Sequence, residues 1–189
     1  MSEGKKCFEK IQQRHHTLRA EMYRNFNRVL PFNELVSDRR EKAAFLGFGE
    51  GTSIYDSSVV TGNVTVGKNV RIGPFTVLDG SGDLEIGDHC EISAGVQIYS
   101  HDPVSRTLSA GEKPIDKAGT KIGARCHIGS MSIITKGVNI GRCCVIEANS
   151  LVNRDIPDYS IAAGTPATVI GRVVLEESGE IRFDYHQNE

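Results

Sequence analysis

The side chains best suited to acid–base chemistry in this chain meet in one short stretch, YSHD, which holds His101 and Asp102. An imidazole with an ordinary pKa of about 6.5 takes up a proton near neutral pH, so His101 is a candidate general base. Asp102 is a candidate to orient the ring, although neighbours along an extended chain point to opposite sides. Metal chemistry fits less well. The five cysteines are an odd number without CxxC spacing. The amino terminus, MSEGKKCFEKIQQRHH, is charged and lacks the apolar core of a secretory signal. Reduced thiols and a cytoplasmic setting are therefore expected. Cys126 and Cys144 stand eighteen apart. Two stacked sulfurs supply only half a tetrahedral site, so the pair is expected to fill core space, with no metal.

The elements that hold His101 follow from a repeat of six. Apolar residues recur at Ile54, Val60, Val66, Ile72 and Leu78, then at Ile86, Ile92 and Ile98. They resume at Ile122, Ile128, Ile134, Ile140, Ile146 and Val152. Period six matches neither a helix nor plain strand alternation, but it does match short strands joined by tight corners. Three places after these residues stand Asn63, Asn69, His89, Gly95, Gly137 and Asn149, types that tolerate positive φ. The pattern is a hexapeptide solenoid, a parallel β-helix of triangular section with eighteen-residue coils. Periodicity leaves its hand open.

Two departures interrupt the beat. Between Leu78 and Ile86 the step is eight, which places a two-residue bulge in DGSGD. Between Ile98 and Ile122 it is twenty-four, which throws out a loop near 99–121 with His101 at its mouth. Long loops on rigid scaffolds are where function concentrates. The plainer alternatives are a tolerated insertion and a histidine that is an ordinary corner residue, as His89 is.

At 189 residues the chain fits one domain, organised as 1–50 helical extension, 51–165 β-helix and 166–189 C-terminal strands. Net charge is −2, so no nucleic-acid partner is expected, and no apolar run is long enough to span a membrane. Phe8, Ile11, Leu18, Met22, Phe26 and Val29 mark a helical face over 5–30, ended by Pro31, with seven basic residues around it. Such a helix can associate weakly with a membrane surface, but packing against the prism is the preferred reading. A second helix is expected over SDRREKAAFL with Ser37 as its N-cap, and a hairpin over VIGRVVLEESGEIRFDY turning near Ser178–Gly179.

The hexads, the YSHD break and KIGARCHIGSMSIITKGVNIGRCCVIEANSLVNRDIPDYSIAAGTPATVIG resemble the hexapeptide-repeat acyltransferases over roughly residues 50–172. Within these, the resemblance is to the galactoside, maltose and xenobiotic O-acetyltransferases and the polysaccharide-modifying acetyltransferases. It implies an all-β solenoid, a left-handed parallel β-helix with an N-terminal helical segment and a short C-terminal hairpin. It also implies a homotrimer with active sites between subunits, acetyl-coenzyme A as donor, and a sugar or sugar-containing acceptor.

Residue by residue, the resemblance makes His101 the catalytic base and gives Ser130 a backbone N–H for the thioester oxygen. Ala148 becomes a backbone contact to the pantetheine arm. Thr165 and Pro166 border the adenine, and Asp79 faces the bulge near the acceptor side, with Asp102 also on that side; the alternative for Asp79 is a turn residue in DGSGD. Arg154 and Arg172 are candidates for the coenzyme phosphates, since guanidinium forks suit phosphate oxygens. Glu147, His127 and Thr168 depart from the family pattern, the first two within the pantetheine channel. Alternatives on the same scaffold are an N-acetyltransferase of an amino sugar, a xenobiotic acyltransferase and a non-catalytic assembly subunit. A carbonic anhydrase would need three zinc histidines, and His89, His101 and His127 lack the five-residue spacing usual there.

Overall fold

The residues that recur every six places fold inward and build three flat faces, which the computed structural model describes for residues 3–176 and 178–186. On the first face, Ser53–Ile54, Arg71–Ile72, Glu91–Ile92, His127–Ile128, Val145–Ile146 and Ser160–Gly164 stack in parallel. The second stacks Val59 and Val60 on Val77 and Leu78, then Gln97–Ile98, Ile133–Ile134 and Leu151–Val152. The third is built from the far halves of Val59–Val66 and Val77–Ile86, followed by Thr120–Ile122 and Asn139–Ile140. The winding is that of the left-handed parallel β-helix.

In-register stacking puts like side chains above one another: Ile54, Ile72, Ile92, Ile128 and Ile146 form one column, and Leu78, Ile98, Ile134 and Val152 another. Both columns are almost wholly excluded from solvent. Each such side chain contributes about 1.5–3 kcal/mol on burial, so the prism axis is the core. Cys90, Cys126 and Cys144 fill the third corner of the section, their thiols donating to the carbonyls of Gly123, Gly141 and Pro157 at 3.1, 2.9 and 3.0 Å. All five cysteines are free thiols.

The corners keep positive φ at Asn69, His89, Gly95, Gly137 and Asn149. Asn63 does not adopt it; Gly62 takes the turn instead. Phe75, Arg125, Met131 and Cys143, also three places after an inward apolar residue, have positive φ as well. Stacking on the coil below overrides the residue preference there, at a cost of about 1–2 kcal/mol each.

The amino-terminal part differs from the sequence expectation. Helix α1 runs over Glu3–Phe26 and buries none of its residues. Instead of lying on the prism it meets α2 (Phe32–Val36), where the His15 and Phe32 rings stand edge to face 5.2 Å apart. Helix α3 (Arg39–Phe45) is capped by Asp38, whose carboxylate accepts from the N–H groups of Arg40 and Glu41; Ser37 closes α2 instead. At the other end, Ala167–Leu175 pairs antiparallel with both Ser160–Gly164 and Ile181–Tyr185. The turn at Ser178–Gly179 has Gly179 at φ 86°.

Candidate active site

Both departures from the six-residue beat occupy the same corner of the prism. Two extra residues in 80–84 against 62–64 make the bulge, and Leu78 pairs with Ile98 on the coil above. Asp79 therefore begins the bulge directly beneath the point where the chain leaves the prism. The loop departs as a short antiparallel pair, His101–Asp102 against Asp116–Lys117, and carries helix α4 (Val104–Leu108) between them. Gly82 seals the two departures together, because a Cβ there would lie 2.4 Å from the Ser100 carbonyl oxygen.

At this junction the Asp79 carboxylate, only 2% exposed, is 2.6 Å from His101 Nδ1. It also accepts from the Ser81 hydroxyl at 2.6 Å, the Ser81 N–H at 3.1 Å and the Ser100 N–H at 2.9 Å. Thr61 donates from the coil below at 3.3 Å. Burial pushes the Asp79 carboxyl up. The donors from Ser81, Ser100 and His101 outweigh it and hold the group well below the usual carboxylate range. The carboxylate is thus ionised across the neutral range and accepts a hydrogen bond from Nδ1–H, which leaves Nε2 as the basic nitrogen. No protein partner engages Nε2 among the described residues, and the His101 side chain is 30% exposed. Tyr99 stands edge-on to the ring at 6.4 Å and donates its hydroxyl to Gln97.

The orienting partner differs from the one expected. Asp102 does not orient the ring; its Oδ1 accepts from the Val104 N–H at 2.7 Å and shapes the start of α4. Asp79 sits at the bulge, as expected, and its oxygens are committed to Ser81, Ser100 and the His101 ring. Ser81, Ser100 and Thr61 were missed. The signal for Ser81 was its place in the DGSGD bulge. Ser100 and Thr61 had none, since stacking alone brings them in.

The remaining candidates lie elsewhere in the chain. Ser130 and Ala148 occupy successive coils at the corner between the first and second faces, and their N–H groups find no acceptor among the described residues. Asn149 donates to the Ser130 carbonyl, and the Thr165 hydroxyl donates to the Asn149 carbonyl, so Thr165 and Pro166 continue this edge upward. His101 follows the second face and Ser130 precedes it, so one face of the prism separates them. Arg154 is exposed on the His101 side, and Arg172 is exposed on the C-terminal hairpin opposite Asp184. Glu147, the departure in the pantetheine segment, accepts from the Tyr185 hydroxyl at 3.1 Å and ties the last strand to the coils. His127 lines a separate apolar crevice of about 230 Å³ with Cys143, Val173 and Phe183.

Two sequence profiles match this chain: "Hexapeptide repeat of succinyl-transferase" over residues 119–154 and "Bacterial transferase hexapeptide (six repeats)" over residues 48–80. A maltose O-acetyltransferase from Clostridium difficile 630 superposes with a TM-score of 0.65 at 28% identity, over 87% of this chain and 88% of that one. The chain belongs to the hexapeptide-repeat acyltransferase family. A second family structure, a variant of the N-acyltransferase AntD from Bacillus cereus in complex with dTDP and coenzyme A, gives a TM-score of 0.61 at 26% identity. It covers 66% of this chain and 72% of that one. Among curated sequences, a probable acetyltransferase of Mycobacterium tuberculosis is 33% identical over 132 residues, 67% of this chain and 44% of the relative. A serine acetyltransferase of Arabidopsis thaliana is 34% identical over 61% of this chain and 34% of its own length. The chain thus spans less than half the length of these curated relatives.

Proposed function

We propose that this family member is an acetyl-coenzyme A-dependent O-acetyltransferase of a sugar or sugar-containing acceptor, with His101 as general base. The observation that carries the reading is the Asp79–His101 pair at the mouth of the extruded loop, with Nε2 free toward solvent. In the reaction, Nε2 takes the proton of the acceptor hydroxyl as its oxygen attacks the thioester carbonyl. Collapse of the tetrahedral intermediate expels coenzyme A as thiolate, which recovers a proton from the imidazolium. Asp79 keeps the ring in the reactive tautomer and stabilises the imidazolium, the part played by the carboxylate of a catalytic triad.

Transition-state charge on the thioester oxygen needs a donor, and the Ser130 N–H is the one assigned here. Within one chain it sits across a face from His101. The reading therefore requires a second copy, and the homotrimer that the family resemblance implies supplies one, with His101 from one subunit and the edge of Ser130, Ala148, Thr165 and Pro166 from the next. Arg154 and Arg172 are assigned to the coenzyme phosphates. The acceptor class is supported by the relative that is a maltose O-acetyltransferase and by the dTDP-bound N-acyltransferase, and the free thiols favour the cytoplasm. No helix among the described residues is long and apolar enough to cross a membrane.

The test measures thiol release from acetyl-coenzyme A against a panel of sugars, nucleotide sugars and amino alcohols, with His101→Ala alongside. Turnover on a hydroxyl acceptor that falls about 10²–10⁴-fold in the variant is expected. Turnover that survives intact in a folded His101→Ala protein sinks the assignment. Acetylation confined to amines would shift the reading to an N-acetyltransferase.

A further inference from the structure

A cavity of about 260 Å³ opens on the first face, away from the bulge and the loop, and its lining includes Arg28, Arg39, Arg71, Tyr55, Ser93 and Glu91. Its three guanidinium groups come from three separate elements. Arg28 lies in the link between α1 and α2, Arg39 opens α3, and Arg71 projects outward from Arg71–Ile72. The Arg39 guanidinium carbon sits 3.4 Å above the centre of the Tyr55 ring, a stack that fixes its plane.

The acidic neighbours offset only part of this charge. Glu34, buried and held by the Ser57 N–H and hydroxyl at 3.0 and 2.8 Å, is 3.9 Å from Arg39 and does not itself line the cavity. Glu91 reaches Arg71 at 3.4 Å, and Arg28 has no carboxylate within 4 Å among the described residues. Three guanidinium groups thus line the cavity against two nearby carboxylates, Glu91 in its lining and Glu34 behind Arg39, which leaves a positive excess in a chain whose net charge is −2. We infer that this cavity binds the phosphate or diphosphate group of a small molecule. Guanidinium forks pair with phosphate oxygens two at a time, and a small cavity admits such a group while excluding an extended polyanion. The inference does not depend on His101, which does not line the cavity.

Isothermal titration of the full chain with inorganic pyrophosphate at low ionic strength tests it. Saturable binding is expected, weakened about tenfold or more in Arg28→Gln and again in Arg71→Gln. Both residues are exposed, and thermal melts check that the variants fold. Lys121→Gln, an exposed cation on the third face, should bind as wild type does. Added salt should weaken binding. Absence of saturable binding, or wild-type affinity in both arginine variants, overturns the inference. Competition arms distinguish the source of the phosphate: displacement by uridine diphosphate assigns the cavity to a nucleotide-linked molecule, and displacement by coenzyme A assigns it to the donor and replaces the assignment of the coenzyme phosphates to Arg154 and Arg172. Displacement by neither overturns the small-molecule reading. Because no arm measures turnover, failure here is separate from failure of the His101 assignment.

Discussion

Removing Asp79 should damage catalysis only through His101, and a double-mutant cycle isolates that dependence. The carboxylate is an acceptor for the Nδ1–H at 2.6 Å and for donors of Ser81 and Ser100 at 2.6–3.1 Å. An asparagine amide supplies one acceptor oxygen in place of two. With its NH₂ toward the ring, Nδ1 must be unprotonated, which moves the proton to Nε2 and removes the base. Asp79→Asn is therefore expected to lose about 10²–10⁴ in kcat/KM, comparable to His101→Ala. In the double variant the loss should equal that of His101→Ala alone, since groups acting as one unit are non-additive. The assay is thiol release with acetyl-coenzyme A and the preferred acceptor from the panel, with circular dichroism and thermal melts to confirm folding. Two results refute the reasoning: a folded Asp79→Asn enzyme within a few fold of wild type, or losses that multiply in the double variant.

Asp79 also links stability to pH. Its carboxyl is depressed in the folded state, so the stability it confers is fully present above the unfolded pKa of about 3.9 and is lost as pH falls through the folded value. Wild-type Tm should fall more steeply below pH 4 than that of Asp79→Asn, and parallel curves would contradict this. Gly82→Ala should displace Ser100 and the loop base, because the new Cβ meets backbone 2.4 Å away; lower kcat/KM with a core that still melts cooperatively is expected. Ile134→Ala, in a fully buried column, should cost about 2–5 kcal/mol in a urea titration, and a change below 1 kcal/mol would mean the axis is not the core. Mixing His101→Ala subunits with Ala148→Trp subunits should restore part of the activity if each site takes one residue from each of two copies. Mixtures as inactive as their components would argue against a shared site.

The prism was legible in the primary sequence, because a solenoid repeats one short unit and each inward residue sees the same neighbours on every coil. Ile54, Ile72 and Ile92 announce their column by spacing alone. The bulge, the loop and the position of His101 were legible as breaks in that beat. Corner chemistry was less so: Phe75, Arg125 and Met131 hold positive φ against their preference, since stacking fixes their backbones. Helix α1 showed its amphipathic face, but the pattern contained nothing about what the face would meet.

The partner of the imidazole was decided only by folding. Asp102 is adjacent in sequence, yet its side chain turns to the Val104 N–H, while Asp79, twenty-two residues away, reaches Nδ1. A repeating chain specifies its own period, and therefore its core, through local sequence. Which side chains touch across coils depends on how inserted residues shift the register, and that shift appears only when one coil rests on the next.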